Sequence, residues 1–267
     1  MWMWIIPIFI AGLSIGSFLN VLIDRWPKNK SPFKGRSQCD HCRHTLKAID
    51  LIPVVSFLFL KGRCRYCHKK LSIQYPIIET FTGLMFVGLF YFTFNSEPIN
   101  LSQTFPFIYK LYFLSIILIF SGLVVIFVAD VKYQVIPDEA LVMLFFGSLV
   151  MWFTRDLSAQ TIFYYLISGL MAAGFLGSVY LLTHGRGMGM GDVKYVLVAG
   201  LFLGPAATIV SLYLAFLTGG IISTILLLSK KKHLGEKIAF GPFLVIGTTL
   251  AFFQGDKWLN WFLNFLI

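Results

Sequence analysis

Two aspartates stand where long apolar segments meet polar turns, and they are the first residues whose setting suggests chemistry. Asp130 closes the apolar run in VVIFVADVKYQVIPDEAL, and Asp192 follows four glycines in HGRGMGMGDVKYVL. Two carboxyl groups at a partly dehydrated site do not both ionise readily, so the pair shares a proton. Such a pair suits peptide hydrolysis, because the ionised carboxylate activates water while the protonated one assists the developing oxyanion.

The glycines before Asp192 alternate with larger residues, a pattern that neither a helix interior nor an ordinary strand favours. We predict that Gly189 and Gly191 let the backbone of an extended peptide substrate lie close to the chain. Lys194, two residues beyond Asp192, would orient that substrate or balance the charge of the pair. Its other interpretation is a lysine that extends its ammonium toward lipid headgroups.

Structural roles for the acids remain open at this point. Asp130 could end a helix and pair with Lys132, and Asp138, which follows Pro137, is well placed as a helix N-cap. Asp192 could also be an N-cap, although this role would leave the glycines unexplained. The sequence contains neither a G-x-S-x-G elbow nor an H-E-x-x-H metal motif, so no other catalytic set competes with the two aspartates.

The amino-acid composition indicates what kind of secondary structure carries these two acids. Hydrophobic residues make up 57% of the 267 residues and charged residues 13%, and the mean hydropathy is +0.79. Soluble domains carry about 25% charged residues. The predicted fold class is therefore an all-α polytopic membrane protein.

Apolar segments of spanning length predict about eight transmembrane helices, of which the fourth is modest and the sixth short. The predicted spans are residues 4–23, 76–94, 111–129, 136–153, 161–183, 193–204, 206–229 and 238–253, with an apolar tail to residue 267. The first segment lacks the features of a signal peptide and is predicted to be retained. We expect the sixth to be entered from a water-filled recess.

The positive charges support this count. With both termini outside, 19 of the 22 Lys and Arg residues fall on the cytoplasmic side. If the sixth segment did not span, the basic cluster at residues 230–237 would move to the outside. The net charge of +10 is thus explained by topology and acidic lipids, and no nucleic-acid partner is expected.

All four cysteines lie in the predicted cytoplasmic loop 25–75, as two C-x2-C knuckles. Cys39, Cys42, Cys64 and Cys67 could together bind one zinc ion tetrahedrally, and four thiolates would leave no open position, which predicts a structural Zn²⁺. Paired disulfides or unconnected thiols are the alternatives, and a cytoplasmic location disfavours disulfides. The neighbouring histidines are expected to be solvated. The apolar stretch IDLIPVVSFLFLKG between the knuckles is too short to span and is expected to lie against the membrane surface.

Taken together, these motifs resemble the type IV prepilin peptidases, which are membrane aspartic proteases of the G-x-G-D class. The resemblance rests on GMGMGDVK and ADVKYQVIPD, and it extends in the same order to GSFLNVLIDRWP, the two cysteine knuckles, DLIPVVSFL, GRCRYC and YPIIETFTG. It implies that Asp130 and Asp192 are the catalytic pair. It also implies cleavage of a basic leader from type IV prepilins or pseudopilins, after a Gly, at the cytoplasmic face of the bacterial inner membrane.

The resemblance further implies that the new N-terminal residue is methylated with S-adenosylmethionine. Gly62 and Glu79 fall in the family-like motifs of that region, although Gly62 could simply permit a turn and Glu79 could cap a helix.

The predicted organisation is a first helix (1–24), the loop domain (25–75) and a transmembrane peptidase domain (76–267). A transporter or channel that uses the paired acids as a proton or cation site is the main rival. It leaves the glycine turn and the cysteines unexplained.

Overall fold

The computed structural model describes residues 2–95, 107–154, 158–185, 187–230 and 238–266. Within these ranges the chain is built from helices, with single antiparallel bridges closing the two cysteine knuckles. Contacts divide it into two compact units, Met1–Phe113 and Leu114–Ile267. The basic positions 155, 186, 231, 232 and 237, which entered the charge count, lie outside the described residues.

The helices follow the predicted apolar segments closely. Their bounds are α1 Trp2–Arg25, α2 Val55–Phe59, α3 Gln74–Asn95, α4 Phe107–Tyr133, α5 Asp138–Thr154, α6 Ala159–Leu182, α7 Met190–Leu228 and α8 Gly241–Leu266. Of these described helices, α1, α3, α4, α6 and α7 are each long and apolar enough to cross a membrane. The predicted all-helical membrane class is confirmed at this level. The apolar tail predicted after residue 253 continues α8 without a break.

The first unit is organised by the packing of α1 on α3. Gly16 of α1 faces the backbone of α3 so closely that a Cβ there would lie 2.8 Å from the Cα of Glu79. Small residues at a helix contact allow this approach in a membrane, where the fit of van der Waals surfaces drives association. The result places Glu79 deep in the unit, with 7% of its surface exposed.

In the second unit, α7 packs against α5, α6 and α8. The helix breaks at Gly204, whose φ of 75° and ψ of 179° are not helical, directly before Pro205. This break lies where the sixth and seventh spans were predicted to meet. The carbonyl of Leu201, which Pro205 cannot bond because it has no N–H, instead accepts a hydrogen bond from the indole of Trp152 at 2.7 Å.

A buried hydroxyl chain fixes both halves of α7 to α8. The Tyr195 hydroxyl donates to Thr248 Oγ1 at 2.9 Å, and Thr248 Oγ1 lies 3.0 Å from Ser211 Oγ. Tyr195 and Thr248 are fully buried, so these hydrogen bonds are the means by which their polar groups are satisfied. The chain sets the position of α8 relative to α7, and both helices carry groups of the candidate site at their N-termini.

Candidate active site

Asp130 lies near the C-terminal end of α4, and only 6% of its surface is exposed. Its Oδ2 accepts a hydrogen bond of 2.8 Å from the backbone N–H of Gly241, the first residue of α8. A Cβ at position 241 would lie 2.7 Å from the same oxygen. Asp130 therefore sits against a helix N-terminus, where unpaired N–H groups favour a carboxylate.

Asp192 lies in the first turn of α7 with 8% of its surface exposed. Its Oδ2 accepts the N–H of Gly189 at 3.1 Å, as the acid at the third helical position of a capping box does, although glycine has no side chain to return the bond. Asp192 therefore does help to cap the helix, as the sequence left open. It does so from the first turn, and Gly189 occupies the N-cap position itself. The glycine turn serves this geometry, because a Cβ on Gly189 would lie 3.2 Å from Asp192 Oδ2.

The two carboxyl groups belong to one unit and lie within electrostatic range of each other. Each has one oxygen, Oδ2, bound by the N–H of a glycine at the start of a helix. Two buried carboxyl groups that interact electrostatically are the groups that an acid–base pair requires. The structure thus brings together the two aspartates that the sequence singled out, while their catalytic roles stay a prediction.

Lys194 has a partner that the sequence did not indicate. Its Nζ lies 2.8 and 2.9 Å from the two carboxylate oxygens of Asp138, the first residue of α5. Asp138 was expected to be an N-cap, but it is the first residue of α5 and its carboxylate pairs with Lys194. The carbonyl of Pro137, directly before the helix, accepts the N–H groups of Ala140 and Leu141. Gly191, also predicted to line the substrate path, faces the side chain of Ile136, which a Cβ would approach to 3.2 Å. Substrate binding by Gly189, Gly191 and Lys194 stays a prediction.

The four cysteines form one cluster in the first unit. Their Sγ atoms all lie within 4.8 Å of one another, and Cys39 Sγ is 3.9 Å from Cys67 Sγ. Tetrahedral ligation at Zn–S distances of about 2.3 Å places sulfurs about 3.8 Å apart, so the donor set fits a zinc ion. Burial opposes ionisation of Cys64, but the backbone N–H groups of Cys67 and Tyr66 donate to its sulfur and lower its pKa to about 7, which favours its thiolate. At Cys67 a hydrogen bond from the Lys69 backbone favours the thiolate, but burial and the neighbouring sulfurs raise the pKa of this thiol to about 11.

The two knuckles repeat one another with an offset of 25 residues. Cys39 N–H bonds the carbonyl of His44 as Cys64 N–H bonds that of Lys69, and an antiparallel bridge closes each turn. The nearby histidines have other contacts: His41 Nε2 lies 3.2 Å from the carbonyl of Lys70, and the His44 ring stacks on Tyr66 at 3.7 Å. The cysteine set predicted from the sequence is thus assembled.

Glu79 accepts a hydrogen bond of 2.7 Å from the N–H of Val54 and another from Ser17. Val54 has φ 59° and ψ −48°, and the Val55 N–H bonds the Pro53 carbonyl at 2.5 Å, which makes a γ-turn with a β-branched centre. Such residues are strained at positive φ and concentrate where a site demands them. The sequence analysis did not predict this strained turn.

Glu79 also lines a cavity of about 740 Å³ in the first unit. Ser17, Asn20 and Arg25 of α1 contribute to its wall, together with Cys39 and Cys64 of the knuckles. Gly62, with φ 69°, forms the turn before Cys64 and contacts the Phe57 ring, which lines the cavity. The volume lies in the range of sites that enclose a small molecule or cofactor, and cofactor binding by Glu79 and Gly62 stays a prediction.

Comparisons with known proteins assign the chain. Residues 10–93 match the model of the bacterial peptidase A24 N-terminal domain, and residues 117–224 match that of the type IV leader peptidase family. A prepilin leader peptidase/N-methyltransferase of Aeromonas hydrophila is 30% identical, over 99% of this chain and 96% of its own length. The chain belongs to the type IV leader peptidase family.

Proteins of the same description from Bacillus subtilis and Neisseria gonorrhoeae are each 29% identical over 96% of this chain, and the matches cover 97% and 93% of their lengths. No solved structure matches the chain. The resemblance predicted from the motifs is confirmed, and nothing in these comparisons supports the transporter alternative.

Proposed function

We propose that this chain is a membrane aspartic endopeptidase that removes the basic leader of type IV prepilins or pseudopilins, cleaving after Gly. It also methylates the new N-terminal residue. The observation that carries the peptidase is the pair of buried carboxyl groups, Asp130 and Asp192, each held through Oδ2 by a glycine N–H. This arrangement leaves Oδ1 of each residue for water, for the substrate or for a shared proton.

The proposed cleavage uses the two acids in different protonation states. The ionised aspartate takes a proton from water as the water oxygen attacks the scissile carbonyl. The protonated one donates to the developing oxyanion, and a proton then passes to the leaving amine. Gly189 and Gly191 would bring an extended substrate backbone alongside Asp192.

We infer eight spans, a count that would put this chemistry at a membrane face. The break at Gly204 divides α7 into two apolar segments, and α5 and α8 supply two further ones, in addition to α1, α3, α4 and α6. With this count, Asp130 and Asp192 would lie on the cytoplasmic side of the bacterial inner membrane. The basic leader of a prepilin would then remain in the cytoplasm while its apolar segment lies in the bilayer.

Methyl transfer is assigned to the cavity of the first unit. S-adenosylmethionine would supply an electrophilic methyl group there. The wall combines apolar surface with two sets of charged groups: carboxylates, which suit a sulfonium and an amino group (Asp24, Asp40, Asp50 and Glu79), and cations, which suit a carboxylate (Arg25, Lys28, Lys30, Lys34, Arg36 and Arg65). Glu79, held by Val54 N–H, would accept a proton from the N-terminal ammonium of the cleaved substrate, which is nucleophilic only as the free amine. The zinc proposed for Cys39, Cys42, Cys64 and Cys67 would hold the knuckles that frame this cavity.

The test uses the full chain, purified and reconstituted in lipid, with a synthetic prepilin that carries a basic leader, Gly–Phe and an apolar segment. Mass spectrometry of the product N-terminus reports cleavage and methylation together. We expect Asp130→Asn and Asp192→Asn each to lower cleavage by roughly 10²–10⁴-fold, and Glu139→Gln, which removes an exposed acid from the same unit, to cleave normally. Both aspartate variants should still methylate a substrate supplied without its leader. Normal cleavage by either aspartate variant would refute the pair.

A further inference from the structure

Asp138 and Lys194 lie 56 residues apart in the sequence, and their side chains meet between the starts of α5 and α7. The lysine ammonium contacts both carboxylate oxygens, at 2.8 and 2.9 Å. Lys194 is two residues beyond Asp192 on the same helix, in the part of α7 where the macrodipole disfavours a cation. A facing carboxylate offsets this unfavourable position.

A second contact lies on the other side of Asp192. Gly191 packs against the side chain of Ile136, to which a Cβ at position 191 would come within 3.2 Å. The segment 136–138 therefore contacts α7 immediately before and shortly after the candidate catalytic acid. One contact is apolar and the other ionic, and they bracket Asp192 along the chain.

The same segment is joined to Asp130. The Gln134 N–H bonds the Asp130 carbonyl at 2.9 Å as α4 ends, and Gln134 itself has a φ of 53°. Only seven residues separate Asp130 from Asp138. A fixed point at Asp138 therefore constrains the end of α4 through the chain and the start of α7 through Lys194.

We propose that the Asp138–Lys194 ion pair is a positioning element of the peptidase centre, which sets Asp192 against Asp130. This inference rests on the proposed peptidase function and replaces the substrate-binding role suggested for Lys194. The side chains of Lys194 and Asp138 are 46% and 67% exposed, and exposed pairs add little to folding stability. Breaking the pair is therefore expected to lower kcat and to leave the folding stability nearly unchanged, because small displacements of reacting groups reduce rates strongly.

The test measures kcat and KM for the reconstituted full chain with the synthetic prepilin. Asp138→Asn and Lys194→Gln should each lower kcat roughly 10- to 100-fold and leave KM within about twofold of wild type. The double variant should be no slower than the slower single variant, since the two residues act only as a pair. Lys194→Arg, which keeps a cation, should retain most of kcat, and Glu139→Gln, which removes the adjacent charge, should match wild type.

Several outcomes would overturn the proposal. A raised KM with unchanged kcat in Lys194→Gln would return this residue to substrate binding, and multiplied losses in the double variant would show two independent roles. Wild-type kcat in Asp138→Asn would show that the pair positions nothing. Failure of the wild-type chain to cleave would instead refute the peptidase function, so the two hypotheses fail separately. Thermal unfolding of each variant distinguishes a lost fold from a lost geometry.

Discussion

Gly241 and Asp130 are 111 residues apart in the sequence, yet the Gly241 N–H donates to Asp130 Oδ2 at 2.8 Å. A methyl group at position 241 would lie 2.7 Å from that oxygen, closer than real Cβ contacts come, and 3.0 Å from Cγ. The first residue of α8 thus fixes one acid of the candidate pair and has no space for a side chain. The glycine preceding Pro242 is explained by this contact.

Gly241→Ala is expected to lower kcat of cleavage by roughly 100-fold or more, because the carboxylate must move from its position. Helix propensity cannot explain such a loss, since alanine in place of glycine favours a helix by up to about 1 kcal/mol. Gly174→Ala in α6 is the matched control, because a Cβ there meets nothing within 4 Å. Steady-state cleavage of the synthetic prepilin checks both variants, and equal activity would exclude a role for the clash at position 241.

Features set by residues close together in the sequence could be predicted, and contacts between separate helices could not. The apolar segments, the cysteine knuckles and the boundary near Gly204 are local in sequence, and the structure contains them. The contacts of Asp130 with Gly241 and of Lys194 with Asp138 depend on how separate helices pack, which no local pattern reports. Glycine followed by proline ahead of an apolar run was the one available signal at position 241.

The cluster of four cysteines predicts that the purified protein contains zinc. Purified protein should contain about one zinc per chain, and Cys42→Ser should lose most of it, because three thiolates bind zinc less tightly than four. His41→Gln is the control, since that imidazole contacts the Lys70 carbonyl rather than the sulfur cluster. Elemental analysis by mass spectrometry measures the metal. Full zinc in Cys42→Ser, or its loss in His41→Gln, would contradict the four-cysteine site.

Glu79→Gln should separate the two activities. Glutamine preserves the volume and an oxygen that can accept the Val54 N–H, but it cannot take a proton from the substrate ammonium. Methylation of a leaderless substrate should fall by roughly 100-fold, while cleavage of the full prepilin continues at the wild-type rate and serves as the internal control. Binding of radiolabelled S-adenosylmethionine is the second readout. Equal loss of cleavage and methylation would show that Glu79 supports the fold rather than methyl transfer.

Trp152 is expected to stabilise the broken helix rather than the chemistry. Its indole donates to the Leu201 carbonyl at 2.7 Å, and Pro205 cannot supply the N–H that would otherwise satisfy this oxygen. Trp152→Phe keeps an aromatic ring but leaves a carbonyl unsatisfied, which costs about 1–3 kcal/mol of unfolding free energy. Trp258→Phe, at a side chain 39% exposed in α8, makes the same chemical change as a control. Unfolding in detergent followed by circular dichroism should show a lower midpoint for Trp152→Phe alone. Equal midpoints would mean that the break at Gly204 is held by other contacts, such as the Tyr165 ring against that glycine.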